Sequence, residues 1–144
     1  MYTLRTSNST DAEFVYNTVK TTMRDFAIQT WGIWLDKESK SAAIEDTALG
    51  KIQIIYVNNE MAGTLQYETN DGVILVSQIY LLPPFQNMGI GGSIVNELKG
   101  MSRELNVPIK LSVLQVNSAK HFYTKNGFSI EKETRERAYM QYAP

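Results

Sequence analysis

Ten residues, Val73 to Leu82 (VILVSQIYLL), are almost continuously apolar and end against Pro83-Pro84. A strand of that composition is expected inside a sheet, with cover on both faces. The prolines stop it because proline has no N–H to give to a ladder. The rest of the chain therefore has to supply neighbouring strands and helical layers.

The flanking segments read accordingly. Residues 2–6 alternate as a short strand, and Ser9, Thr10 or Asp11 is expected to cap a helix with acidic residues in its first turn. Phe14, Val15, Thr18, Val19 and Thr22 recur at helical spacing, and the pattern runs on through Met23, Phe26 and Ala27. Trp31-Gly32-Ile33-Trp34 breaks that helix, and Lys37 to Leu49 forms a second one ending near Gly50. Lys51 to Val57 and Met61 to Glu68 flank the polar turn Asn58-Asn59-Glu60, a strong hairpin signal. Thr69 to Gly72 turns the chain into the apolar strand. Ile90, Ile94, Leu98, Met101 and Leu105 share one face of a helix over 89–105. Ile109 to Val116 is a strand, and Asn117-Ser118 caps a short helix over 119–126. Gly127 occupies the left-handed position after it. A strand begins at Phe128–Ile130, the charged stretch Glu131 to Glu136 turns, and Arg137 to Tyr142 closes the chain as a strand. The expected order is β-α-α-β-β-β-α-β-α-β-β: an α/β (α+β) chain, one domain over 1–144, with a mixed sheet covered by helices on both faces.

Composition narrows the function. The 144 residues suit one domain, able to bury roughly two-thirds of its unfolded surface. A formal charge of −1, from 14 basic and 15 acidic residues, gives no sign of a nucleic-acid partner. With no cysteine there is no disulfide, thiolate nucleophile or cysteine metal site. One histidine, and the pair Glu45-Asp46 without partners at ligand spacing, argue against a metal site. The start, Met1 to Phe14, turns polar after four residues, and no apolar run approaches the ~18 residues of a membrane span. Cytoplasmic location without membrane attachment is the default expectation.

The turn after the prolines, Gln86-Asn87-Met88-Gly89-Ile90-Gly91, leads from strand to helix. Glycines allow close main-chain approach to a ligand. The first amides of a helix have no intrahelical partner and, with the helix dipole, attract phosphate. Here the donors are the amides of Met88 to Ser93. A P-loop is excluded because Gly92-Ser93 lacks the lysine. A dinucleotide fingerprint is excluded because its third glycine is replaced by Ile94.

The wider pattern Ile79-x-Leu81-x-Pro83-x-x-Gln86-x-x-Gly89-Ile90-Gly91 resembles the acetyl-coenzyme-A-binding motif of the GCN5-related N-acetyltransferases (GNAT). A second signature follows, Asn117-x-Ala119-x-x-Phe122-Tyr123-x-Lys125-x-Gly127-Phe128, and the element order agrees with that family. The resemblance implies a single GNAT-like domain with a mostly antiparallel sheet and acetyl-CoA as co-substrate, without a metal. It implies that the main chain around Leu81 and Leu82 bonds the pantetheine arm like an added strand. The amides of Gln86, Asn87, Met88, Gly89, Ile90 and Gly91, with Gly92 and Ser93, hold the pyrophosphate. Asn117 bonds the pantetheine where two strands splay, beside Ala119; Phe122 packs on the cofactor; Tyr123 stands near the sulfur and protonates the leaving thiolate. Gln86 stands where many relatives have arginine, which removes one positive charge beside the phosphates.

Acyl transfer from a thioester to an amine needs a neutral amine, a polarised carbonyl and an acid for the thiolate. Tyrosine, with a reference pKa near 10, is neutral at pH 7 and can be that acid. Glu68, Tyr80 and Glu45 are candidates for the general base. His121, two residues before Tyr123, lies on another helix face and reads as a surface residue. Arg24, Trp31, Trp34, Tyr67 and Tyr80 are candidates for the acceptor side: two tryptophans line a pocket for a flat or apolar group, or else plug the core, and Arg24 meets a carboxylate. The acceptor is a small amine, an amino-acid-like metabolite or a peptide. A non-catalytic CoA-binding module and a longer acyl donor are the alternatives. A homodimer is an open possibility, because Tyr139 to Tyr142 is expected at a sheet edge, where strands pair.

Overall fold

Two-residue turns at positive φ set the antiparallel half of the sheet. The structure, a computed structural model, describes residues Met1–Pro144. Asn58 and Asn59, at φ 51° and 65°, join strand β2 (Gln53–Val57) to β3 (Glu60–Asn70). Asp71 and Gly72, at φ 50° and 73°, join β3 to β4 (Val73–Leu81). Such turns match the natural strand twist, and asparagine, aspartate and glycine tolerate them. With β1 (Tyr2–Thr6), β5 (Ile109–Leu114), β6 (Ser129–Glu133) and β7 (Arg137–Tyr142), seven strands run in the order β1-β2-β3-β4-β5-β7-β6. β4 and β5 are parallel, whereas β1–β2, β2–β3, β5–β7 and β6–β7 are antiparallel. The helices are α1 (Ala12–Trp31), α2 (Asp36–Ala48), α3 (Ile90–Leu105) and α4 (Ala119–Lys125). The result is an α/β fold with a mixed, mostly antiparallel sheet.

The chain forms two compact units, Met1–Gln66 with Gln78–Ile90, and Tyr67–Ser77 with Gly91–Pro144. In the first, Val15 of α1, Ala43 of α2, and Ile52 and Ile54 form a buried cluster, with Phe14, Tyr16, Val19 and Tyr56 packed on it. The start of α1 is fixed by Asn8, whose side chain accepts from Thr10 N–H, while Asp11 accepts from Asn8 N–H. That capping box closes a 3-10 turn over Ser9–Asp11, and Asp11, one of the expected candidates, is the N-cap residue of α1, its side chain turned back to Asn8 instead of onto the helix. Arg5 grips Asp11 through both terminal guanidinium nitrogens, at 3.0 and 2.8 Å, and also donates to Tyr56 Oη. α1 ends at Gly32, which takes φ 75° and donates to Ile28 O.

In the second unit, Ile109 and Leu111 of β5, Ile94 and Leu98 of α3, and Ala138 and Met140 of β7 are buried. β7 lies between β5 and β6, so the expectation that Tyr139 to Tyr142 forms a sheet edge is corrected. The edges are β1 and β6, and every residue of β6 is exposed, with three charges along it. β6 also runs to Glu133, further than expected, because Thr134 closes the turn by exchanging bonds with Arg137. β5 stops at Leu114, before Val116, where Asn117 N–H turns back to Leu114 O. The expected cover on both faces of β4 is corrected in its first half: Ile74 and Val76 are buried, but Leu75 is 43% exposed and Ser77 exposed. An apolar residue on an open face looks the same in sequence as one on a covered face.

Candidate active site

The end of β4 is held by a β-bulge. Ile55 faces Gly63 and Tyr56 faces Met61, so Ala62 is the extra residue of β3. Ala62 O accepts from Leu82 N–H at 2.9 Å. Close by, the strands approach until a Cβ on Gly63 would collide with the Tyr80 carbonyl, so only glycine fits. Leu82 O accepts from Phe85 N–H at 2.9 Å, and Leu81 O accepts from Gln86 Nε2 at 2.8 Å. The one N–H of Leu82 is therefore directed to β3, while its carbonyl keeps a second lone pair.

Pro83–Phe85 form one 3-10 turn, after which Gln86 is extended. Asn87 and Gly89 then take φ 61° and 79°, and α3 starts at Ile90. Two left-handed residues within three positions curl the main chain into the helix. The amides of Ile90, Gly91 and Gly92 have no intrahelical acceptor by helix geometry. Gln86, Asn87, Met88 and Gly89 are exposed; the side chain of Ile90 is buried and pins the helix start. The Gln86 side chain braces the turn against β4 through Leu81 O.

The second signature occupies the β5–α4 connection. Asn117 Oδ1 accepts from Ala119 N–H at 2.9 Å, so the side-chain bond at the start of α4 comes from Asn117, while the N-cap residue Ser118 makes none. That bond orients the side chain and leaves its amide N–H groups as donors. Tyr123 is buried, its ring edge-on to Phe122 at 5.1 Å and to Phe128 at 5.3 Å. Gly127, at φ 91°, ends α4, and Phe128 N–H returns to Tyr123 O at 3.0 Å. Lys99 of α3 donates to Asn126 O at 2.9 Å, a helix-end contact that no motif in the sequence announced. The two signatures meet at Gly91: a Cβ there would stand 3.5 Å from Phe122 Cζ.

The acceptor candidates are distributed unevenly. Arg24 and Trp34 line an open hollow of about 630 Å³, with Lys20, Ile28, Ile33 and Asp36. Lys20, Ile28, Ile33 and Asp36 were not singled out in the sequence, although Lys20 stands one turn before Arg24 and Asp36 two residues after Trp34. Trp31 is not among the lining residues and is 49% exposed, and Trp34 is half-buried, so neither plugs a core. Tyr67, on β3, and Tyr80, on β4, are half-buried, while Glu45, Glu68 and His121 are exposed. No three acidic or histidine side chains gather as a metal site requires, and no helix is long and apolar enough to cross a membrane.

With this geometry the chain was compared with known proteins. The family model "Acetyltransferase (GNAT) domain" matches residues 48–130. No protein of curated function matches by sequence. Among solved structures, an acetyltransferase from Thermus thermophilus is similar at TM-score 0.79 and 15% identity, covering 100% of this chain and 97% of that one. PaiA N-acetyltransferase from Thermoplasma acidophilum, in complex with coenzyme A, gives 0.76 and 17%, covering 100% and 99%. Arabidopsis thaliana Naa50, in complex with the bisubstrate analogue CoA-Ac-MVNAL, gives 0.68 and 19%, covering 99% of each. At these identities the likeness is one of fold.

Proposed function

We propose, from the premise that this chain belongs to the GNAT acetyltransferase family, that it moves an acetyl group from acetyl-CoA to a primary amine by direct attack. The whole of 1–144 is the acting domain in this reading. The observation that carries it is the meeting of the glycine turn at the head of α3 with Phe122 at Gly91.

The turn fits a phosphate-bearing group. Left-handed Asn87 and Gly89 lead into the head of a sixteen-residue helix, which offers N–H groups and the positive end of a dipole. Gln86 adds a brace but no charge, so the grip on phosphate comes mainly from the main chain. Asn117, oriented by its bond to Ala119, offers amide N–H groups to the carbonyls of a pantetheine arm. Acetyl-CoA, when bound, supplies an activated thioester. The acceptor nitrogen bonds to the acyl carbon as the carbon–sulfur bond breaks, Tyr123 Oη gives its proton to the departing sulfur, and the proton that the nitrogen sheds as the amide forms restores Tyr123 through solvent. The Phe122 and Phe128 rings restrict Tyr123 to one orientation, which lowers the entropy cost of that transfer. The base that neutralises the incoming ammonium is left to Glu68, Tyr80 or Glu45 in the proposal.

Isothermal titration with acetyl-CoA tests the donor half: saturable binding is expected, and none at millimolar cofactor would refute it. Thiol release over a panel of amines tests transfer itself. Binding without release on any amine would leave only a CoA-binding module, and faster release from propionyl-CoA than acetyl-CoA would change the acyl group.

A further inference from the structure

Strands β1 and β6 both end the sheet, yet only β6 is guarded. β6 carries Glu131, Lys132 and Glu133, and its register against β7 shifts between Ile130 and Lys132. Charges and a bulge are ordinary means of keeping an edge from accepting another strand. β1 has no such guard. Its five residues run against β2 without a register shift, from Tyr2 opposite Val57 to Thr6 opposite Gln53. Its one charged side chain, Arg5, is taken up by Asp11 through two hydrogen bonds.

One bond fixes which way the main chain of β1 faces. Ser7 N–H donates to Ile52 O at 2.8 Å, one step beyond Thr6 opposite Gln53. In an antiparallel ladder, residues that bond the neighbour alternate with residues whose N–H and C=O point away from it. Thr3 and Arg5 therefore bond β2, and Leu4 and Thr6 turn their main-chain groups to the open edge. Thr6 O receives one bond from Arg5 Nη1 at 3.3 Å and keeps a second lone pair. Leu4 is the middle of the strand. It lies opposite Ile55, which is fully buried, yet Leu4 is itself 39% exposed. An apolar row of the sheet thus ends in an uncovered leucine at an unguarded edge.

We infer that β1 receives the β1 strand of a second copy of this chain, antiparallel and in the register that sets Leu4 opposite Leu4. That register is unchanged by the two-fold rotation that exchanges the copies, so each contributes the same groups. The Leu4 N–H and C=O of one copy bond those of the other, and Thr6 falls opposite Tyr2 on either side. Thr3 falls opposite Arg5, so no two cations face each other. The two leucines cover one another on the face that carries Ile55, as apolar cross-strand pairs do. Five residues a side bury little area, so the dimer is reversible and depends on concentration. The pairing stands whether or not the chain transfers acetyl groups.

Two measurements test it. In sedimentation of the full chain, the mean mass should rise with concentration from 16.3 kDa toward twice that value. Leu4→Glu and Leu4→Lys should each stay monomeric, because like charges then stand directly opposite, and an equal mixture of the two should regain the dimer. A mass that stays monomeric up to millimolar chain, a dimer that persists in both variants, or a mixture that stays monomeric overturns the pairing. The register is read by cross-linking. The chain has no cysteine, so Leu4→Cys gives it a single thiol, and under oxidation most of that variant should run as a disulfide-linked dimer. Thr3→Cys should link far less, since two residues at position 3 stand two strand positions apart, beyond the ~7 Å between Cα atoms that a disulfide spans. No linking at position 4, or equal linking at both positions, overturns the register.

Discussion

The turn at the head of α3 and the hollow beside α1 are both open to solvent, yet they are made of opposite materials. The turn is main chain: Asn87 and Gly89 at positive φ, then helix amides, with few side chains involved. The hollow is side chain: a guanidinium, an indole clamped to Asp36, and isoleucines. Main-chain recognition suits a group that every member of a family binds, because it survives changes of side chain so long as the turn can form. A change of conformation should therefore injure the first, and a change of charge the second.

The contrast can be broken in order of size. The largest effect belongs to the frame of the turn. Gly63→Val sets a branched Cβ against the Tyr80 carbonyl and should cost about 3 kcal/mol or more, read as a lowered urea midpoint. An unchanged midpoint would mean that β3 and β4 do not approach as described. Tyr123→Phe should keep the ring packing and acetyl-CoA affinity but lower kcat by about 100-fold, roughly 2.7 kcal/mol of barrier. Full kcat in the phenylalanine variant would remove Tyr123 as the acid.

Asp11→Ala removes the capping-box partner and the Arg5 pair from the 3-10 turn that leads into α1. A loss of about 2 kcal/mol is expected, since Arg5 is partly exposed and water replaces some of the interaction. The Arg5 hydrogen bonds hold the Asp11 carboxyl below its ordinary range, against the opposing effect of burial. A carboxyl lowered on folding stabilises fully above its unfolded pKa, near ~3.9, and its contribution fades as pH falls through the lower folded value. The stability gap between Asp11→Ala and the unaltered chain should therefore narrow below about pH 4. A gap that is flat with pH would argue against the ion pair.

Gly89→Ala strains a residue at φ 79°, costing about 1 kcal/mol of stability, and should weaken coenzyme A by roughly tenfold by misdirecting the turn. No rival atom lies within 4 Å of the added Cβ, so loss of affinity would report conformation and not collision. The smallest effect is Gln86→Arg. An added cation beside a phosphate should tighten coenzyme A by only a few-fold, and the gain should vanish in high salt. A large, salt-resistant gain would mean that side chains matter more at the turn than its geometry suggests.

Legibility in the sequence followed the same division. The turn, the helix behind it and the Asn117 to Phe128 signature were readable because their geometry is local: glycine in a turn, proline at a strand end, and helical spacing act within a few residues. Two further features were partly legible: Lys20 and Arg24 share a helix face by spacing alone, and Asp36 follows Trp34 closely. What could not be read was that Asp36 collects Tyr16, Trp34 and Lys20, because Tyr16 lies twenty residues away and meets it only when α1 and α2 pack. The edge position expected for Tyr139 to Tyr142 failed for a similar reason. Strand order is decided by long-range pairing, and β7 found β5 on one side and β6 on the other.

By itself, then, the amino-acid order determined the elements, their turns and the glycine turn before α3, since these depend on dihedral preferences and hydrogen bonds between near neighbours. Tertiary structure alone decided which strands are edges, that the N–H of Leu82 bonds Ala62, and that Arg24 stands without an acidic partner beside a fixed indole. Those outcomes depend on which distant groups satisfy one another's charge and hydrogen bonds, and a linear chain does not record that until it is packed.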